Sequence, residues 1–217
     1  MEHEREERKM MKRNGTTWLH TLAAILALGL MAPACGDDGE ANGNGDHDHD
    51  HDHGDNPEEV ITTVTLTFTP DGGGNPVEAT YRDLNPDDAE PPELFEEIVL
   101  DSGNTYTLTL TLLNETDAPP ENVTDEISEE DDEHQFFFQG PAVGSLVTVD
   151  YADMDENGLP VGLVNNVQAT TAGTEPEGFR VILKHQPPEG GVPVKTMNSG
   201  INDGGTDVDL AFDITVN

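Results

Sequence analysis

Five stretches of the sequence place an apolar residue at every second position: Val64, Leu66 and Phe68; Val77, Ala79 and Tyr81; Tyr106, Leu108, Leu110 and Leu112; Phe179, Val181 and Leu183; and Val208, Leu210, Phe212, Ile214 and Val216. Successive side chains of a strand point to opposite faces, so each stretch reads as a half-buried strand with one apolar and one polar face. In the first and third, the intervening positions are threonines, whose branched side chains suit a pleated surface. Between the stretches lie turn signals: Pro70-Asp71-Gly72-Gly73-Gly74-Asn75-Pro76, Asp101-Ser102-Gly103-Asn104, Asp155-Glu156-Asn157-Gly158 and Pro187-Pro188-Glu189-Gly190-Gly191. Short amphipathic strands joined by such turns, with no alternation of strand and helix and no fixed-period repeat, predict an all-β chain folded as an antiparallel β-sandwich, Ig-like or similar, over residues 59–217.

One segment departs from this pattern. Between Asn122 and His134 the acids Asp125, Glu126, Glu129, Glu130, Asp131, Asp132 and Glu133 crowd together. As a helix it would put Ile127, Glu130, Asp131 and His134 on one face, since residues three and four apart are neighbours. A short acidic helix or turn near 123–133 is expected, after which Phe136-Phe137-Phe138 enters the sheet.

Charge and the N-terminal region bound what the chain can do. The sequence has 45 acidic and 9 basic residues and a formal net charge of −36, which makes nucleic acid and anionic membrane surfaces poor partners. Arg5, Arg8, Lys9, Lys12 and Arg13 precede an apolar run from Leu22 to Ala32, the order of an export signal spanning residues 1–34. That run is shorter than the ~20 residues a permanent membrane helix needs. Cys35, the one cysteine, closes Met31-Ala32-Pro33-Ala34-Cys35, which resembles the lipobox of bacterial lipoproteins. The resemblance implies acylation of the Cys35 thiol and anchoring in a lipid bilayer, and Gly36 in the next position points to the outer membrane. Residues 35–58 carry almost nothing apolar and read as a disordered tether.

More widely, the chain resembles a family of small acidic lipoproteins of marine and soil bacteria, often with a histidine-bearing tether. The resemblance rests on VITTVTLTF with Tyr81-Arg82-Asp83, on Leu112-Leu113-Asn114-Glu115-Thr116, on Glu133-His134-Gln135-Phe136-Phe137-Phe138, on the Asp153 to Leu163 hairpin and on the closing INDGGTDVDLAFDITV. Members often carry the label "type 1 periplasmic binding fold superfamily protein", a name that implies paired parallel-sheet lobes, whereas the strand period of this chain implies antiparallel sheets. Where members often show Arg-His-Glu-Pro, this chain has Lys184-His185-Gln186-Pro187. The resemblance names no settled activity.

Three groups of residues carry metal-ligand chemistry. In the tether, Asp46, His47, Asp48, His49, Asp50, His51, Asp52 and His53 alternate imidazole and carboxylate, good ligands for Zn²⁺, with Cu²⁺ and Ni²⁺ also compatible. A solvated spacer has the same composition. In the domain, His134 and Glu130 with Asp131, joined by His185 if its strand phase turns it inward, would make a fixed site of two imidazoles and a carboxylate; a local ion pair is the plainer reading. Asp153, Asp155 and Asn157 match the first half of a Ca²⁺ loop, but Val164 stands where the closing glutamate belongs and a hairpin turn explains them equally. Asp83, Asn85, Asp87 and Asp88 form a similar acidic loop. No nucleophile elbow, His-Glu-x-x-His or phosphate-cradling glycine loop is present, so no enzyme is expected. The sequence thus favours an outer-membrane lipoprotein that binds transition metal, zinc first, as an accessory to acquisition through an outer-membrane receptor or transporter. The alternative is a structural or adhesive surface module that binds calcium at most.

Overall fold

A computed structural model describes residues 59–86, 90–116 and 118–217, all within the unit Asp52–Asn217. Among them are ten strands and one helix: β1 (Thr63–Pro70), β2 (Val77–Arg82), β3 (Leu94–Phe95), β4 (Ile98–Leu100), β5 (Thr105–Leu113), α1 (Val123–Glu129), β6 (His134–Gln139), β7 (Val147–Tyr151), β8 (Val164–Ala169), β9 (Gly173–His185) and β10 (Gly205–Val216). They form a six-stranded sheet in the order β3-β2-β1-β5-β8-β7 and a four-stranded sheet in the order β4-β10-β9-β6. Pairing is antiparallel throughout except for β4 beside β10, which is parallel. The all-β expectation therefore holds. The parallel pair arises because the short run from Leu94 to Leu100 leaves the larger sheet at β3 and joins the smaller one at β4.

The alternation read from the sequence is the packing of the core. Val64, Leu66 and Phe68 of β1 and Leu108, Leu110 and Leu112 of β5 face inward, against Phe136 of β6, Phe179, Val181 and Leu183 of β9 and Phe212 and Ile214 of β10. Phe68 meets Phe179 of the opposite sheet edge-on, with ring centroids 6.2 Å apart. On the outer face, threonines pair across strands, as Thr65 does with Thr80. Burying a side chain such as Phe68 or Leu66 contributes roughly 1.5–3 kcal/mol, so this two-sided apolar layer is what commits the strands to a sandwich.

The acidic segment does form a helix, but one shorter than its face pattern required. α1 buries Val123 and Ile127, one turn apart, and ends at Glu129. Thr124 fastens it to β5, its hydroxyl accepting the N–H of Leu112 at 2.7 Å. The expected helical face carrying Glu130, Asp131 and His134 does not exist, because Glu130 caps the helix and His134 opens β6. The physical reason is charge: a helix C-terminus is its negative end, and here Glu129, Glu130, Asp131 and Asp132 crowd that end with no basic residue in the last turn. Among the described residues no helix is long and apolar enough to cross a membrane.

Candidate metal centre

Antiparallel pairing of β6 with β9 sets His134 directly opposite His185. Phe136 and Leu183 are the next pair on the same face and lie in the core, so the two histidines extend the apolar layer at the end where β6 begins and β9 stops. Both are buried, His134 completely. Their rings stack with centroids 4.5 Å apart and planes 7° from parallel. The turn after α1 brings Glu130 to them, and one ligand atom from each of Glu130, His134 and His185 lies within 4.8 Å of the others.

Gly204 allows this end of the sandwich to close. It precedes β10 at φ +76°, and a Cβ there would lie 2.1 Å from the His185 carbonyl oxygen. Only glycine combines that backbone conformation with that approach. The site is thus assembled by three local choices: a strand register, a helix that stops early, and a glycine against the end of β9.

Hydrogen bonding defines His134. Its Nδ1 lies 3.1 Å from the Glu130 carbonyl oxygen; a carbonyl only accepts, so the proton sits on Nδ1 and the lone pair on Nε2. That Nε2 is buried and has no hydrogen-bond partner. Burial above all pushes the His134 imidazole down to about 4; the Glu130 carbonyl opposes this, and the charges of His185 and Lys195 add to it. At neutral pH the ring is uncharged and offers a lone pair to the interior.

The surroundings of Glu130 are acidic. Burial, followed by the charges of Glu126, Asp207, Glu130 and Glu121, pushes the Glu59 carboxyl up to about 7. Burial and Glu121, Glu130 and Glu129 likewise raise Glu126, which is hydrogen-bonded to Glu59. A divalent cation beside Glu130 would relieve that repulsion. Two imidazoles and a carboxylate match the protein ligands of many zinc centres. Tetrahedral ligands at Zn distances of 2.0–2.2 Å lie about 3.3 Å apart, so the three groups must draw together from the 4.8 Å envelope. An ion lies near the plane of each imidazole it binds, so the stacked rings must also turn out of parallel. The residues fit the ion in kind and need a side-chain rotation to fit it in geometry.

Other expected ligands are placed elsewhere. Asp131 turns to a different pair: its carbonyl accepts from Lys195, and burial, then the charge of Asp155, raises its carboxyl. Asp153 accepts the N–H groups of Gly162 and Val164 at 2.7 and 2.9 Å, and Asp155 those of Asn157 and Leu159 at 2.9 and 2.8 Å. Asp155 is also ion-paired to Lys195 at 3.0 Å, and Asn157 points to solvent. These contacts tie the backbone of the hairpin together. In the loop after β2, Asp83 accepts from the Tyr81 hydroxyl and from the N–H of Asn85, while Asp87 and Asp88 fall outside the described residues. Cys35 and the tract Asp46 to His53 also lie outside the described residues.

One group near the site escaped the sequence reading. The Glu133 carboxylate lies 3.6 Å from His185 Nε2, and the Glu133 carbonyl accepts the N–H of Gln186 at 2.6 Å. Aligning Glu133-His134-Gln135-Phe136 antiparallel to Leu183-Lys184-His185-Gln186 would have found it, since pairing His134 with His185 sets Glu133 beside Gln186. No family model, curated protein or solved structure matches this chain.

Proposed function

We propose that this chain is an exported lipoprotein, anchored in the outer membrane through acylated Cys35, whose β-sandwich holds a divalent transition metal between His134, His185 and Glu130. Zinc is the first choice for two imidazoles and a carboxylate, with Cu²⁺ and Ni²⁺ compatible. The Asp46–His53 tract gathers the ion at low affinity and fast exchange, the domain holds it more tightly, and the protein serves a receptor or transporter without itself catalysing a reaction. The observation that carries this reading is the His134 Nε2 lone pair, fully buried and without a partner. An unsatisfied buried polar atom costs roughly 1–3 kcal/mol, and a metal ion facing that lone pair offsets the cost.

Zinc calorimetry on the mature chain separates the two binding elements. Replacing His47, His49, His51 and His53 by alanine should remove the weak events and leave a tight one of unit stoichiometry. Replacing His134 and His185 should remove the tight one. A tight event that survives loss of both domain histidines would end the proposal, and failure of Cys35 to incorporate labelled palmitate in the native host would end the anchoring.

A further inference from the structure

The two imidazoles are not held in the same way. His134 gives its Nδ1 proton to the Glu130 carbonyl, whereas His185 turns Nε2 toward the Glu133 carboxylate at 3.6 Å. At 3.6 Å this is an electrostatic contact rather than a hydrogen bond, and because a carboxylate only accepts, it favours a proton on the nitrogen that faces it. We propose that Glu133 is a positioning residue that fixes His185 as its Nε2–H tautomer, so that the metal meets Nδ1 of His185 and Nε2 of His134. This rests on the metal-site reading above and says how that site is prepared.

Three observations support the assignment. First, the backbone of Glu133 is pinned on both sides: its N–H donates to the Glu130 carbonyl at 3.0 Å and its carbonyl accepts the N–H of Gln186 at 2.6 Å. The carboxylate is thereby delivered from a fixed point next to the strand end that carries His185. Second, the Glu133 side chain is 20% exposed beside a His185 side chain that is 5% exposed, so it stands at the rim, between water and the imidazole. Third, 3.6 Å is longer than a hydrogen bond, whose N···O distance is about 2.9 Å. The contact has room to shorten when a cation on the other nitrogen makes the N–H more acidic. Metal-bound histidines commonly donate their second N–H to a carboxylate or carbonyl, which fixes the tautomer and the ring orientation. Here one histidine has each kind of acceptor.

The test is long-range ¹H–¹⁵N correlation of the histidine rings in the full chain carrying Cys35→Ser, with His134→Ala and His185→Ala spectra for assignment. In the metal-free protein the expected result is His134 protonated on Nδ1 and His185 on Nε2; a wild-type His185 protonated on Nδ1 would overturn the proposal. Glu133→Ala should leave His185 as a mixture of tautomers and weaken zinc binding by about 10- to 100-fold. Glu133→Gln keeps an acceptor oxygen and should retain the Nε2–H form with a smaller loss. A merely structural glutamate would change neither the tautomer nor its rescue by glutamine, and that outcome also overturns the proposal. The metal-free wild-type spectrum decides the tautomer even if the chain takes up no zinc, so the two readings fail separately.

Discussion

Asp155 and Lys195 form an ion pair 3.0 Å apart from which water is excluded, with side chains 0% and 1% exposed. Burial, the largest single influence, pushes the Asp155 carboxyl up, but the N–H of Leu159, the Lys195 ammonium and the N–H of Asn157 together hold it below its ordinary range. Removing one partner strands the other charge in the interior. Lys195→Met should therefore cost about 3–5 kcal/mol in urea unfolding, while the double change with Asp155→Asn should recover most of it. Because the carboxyl is depressed in the folded state, the Lys195 contribution is present above the unfolded value and fades as pH falls through the folded one. Additive losses from the two single changes would contradict the pairing.

The neighbouring Asp153 gives the test of the calcium alternative. Its oxygens accept the N–H groups of Gly162 and Val164, and hydrogen bonds to a charged group contribute about 1.5–3 kcal/mol each. Asp153→Ala should lower stability by about 3–6 kcal/mol, whereas millimolar Ca²⁺ should leave the melting temperature of the parent unchanged. A ligand that binds only the folded state stabilises it, so a calcium-dependent rise in melting temperature that disappears in Asp153→Ala would establish the calcium loop.

The legible parts of this fold are those where side-chain alternation was uninterrupted. β1, β5 and β10 could be read directly because every inward residue is apolar. β8 could not: its inward positions are Asn165, Val167 and Ala169, and the first is an asparagine whose Nδ2 donates to the Gly162 carbonyl at 2.7 Å. β3 is two residues long with both side chains exposed, so nothing in its composition marks it. At the candidate site the inward phase of His185 followed from Phe179, Val181 and Leu183. The helical reading of the acidic run misplaced His134, since the run's own charge ends the helix before reaching it. The Asp155–Lys195 pair and the proximity of Glu133 to His185 depend on contacts between distant segments, which no local period encodes.

Gly204 links backbone conformation to the site. Gly204→Ala must adopt φ +76° with its Cβ 2.1 Å from the His185 carbonyl oxygen, so the end of β9 has to move. The substitution should destabilise by more than about 1 kcal/mol and weaken zinc binding, because His185 shifts with its carbonyl. Gly72→Ala, where a Cβ meets nothing within 4 Å, is the control and should change neither. Thermal melts and zinc calorimetry on both variants decide this; normal zinc binding in Gly204→Ala would show that the end of β9 is not rigidly coupled to the site.

His134 and Glu59 should pull stability in opposite directions over the same pH range. His134 is pushed from its ordinary 6.5 to about 4 by burial, so between those values the unfolded chain binds the extra proton and stability falls as pH is lowered. Glu59 is raised from 4.5 to about 7, so between those values the folded chain binds the extra proton and stability rises as pH is lowered. From pH 6.5 down to 4.5 the two slopes oppose each other, and the parent should show a shallow profile there. Glu59→Gln removes one side of the balance. Relative to the parent, its stability should drop with acid across this window, and at ~1.4 kcal/mol per pKa unit the exposed His134 contribution is about 3 kcal/mol between pH 6.5 and 4. His134→Gln should give the reverse slope. Urea unfolding in half-unit pH steps measures all three profiles, and a Glu59→Gln profile parallel to the parent would mean that Glu59 does not hold its proton in the folded state.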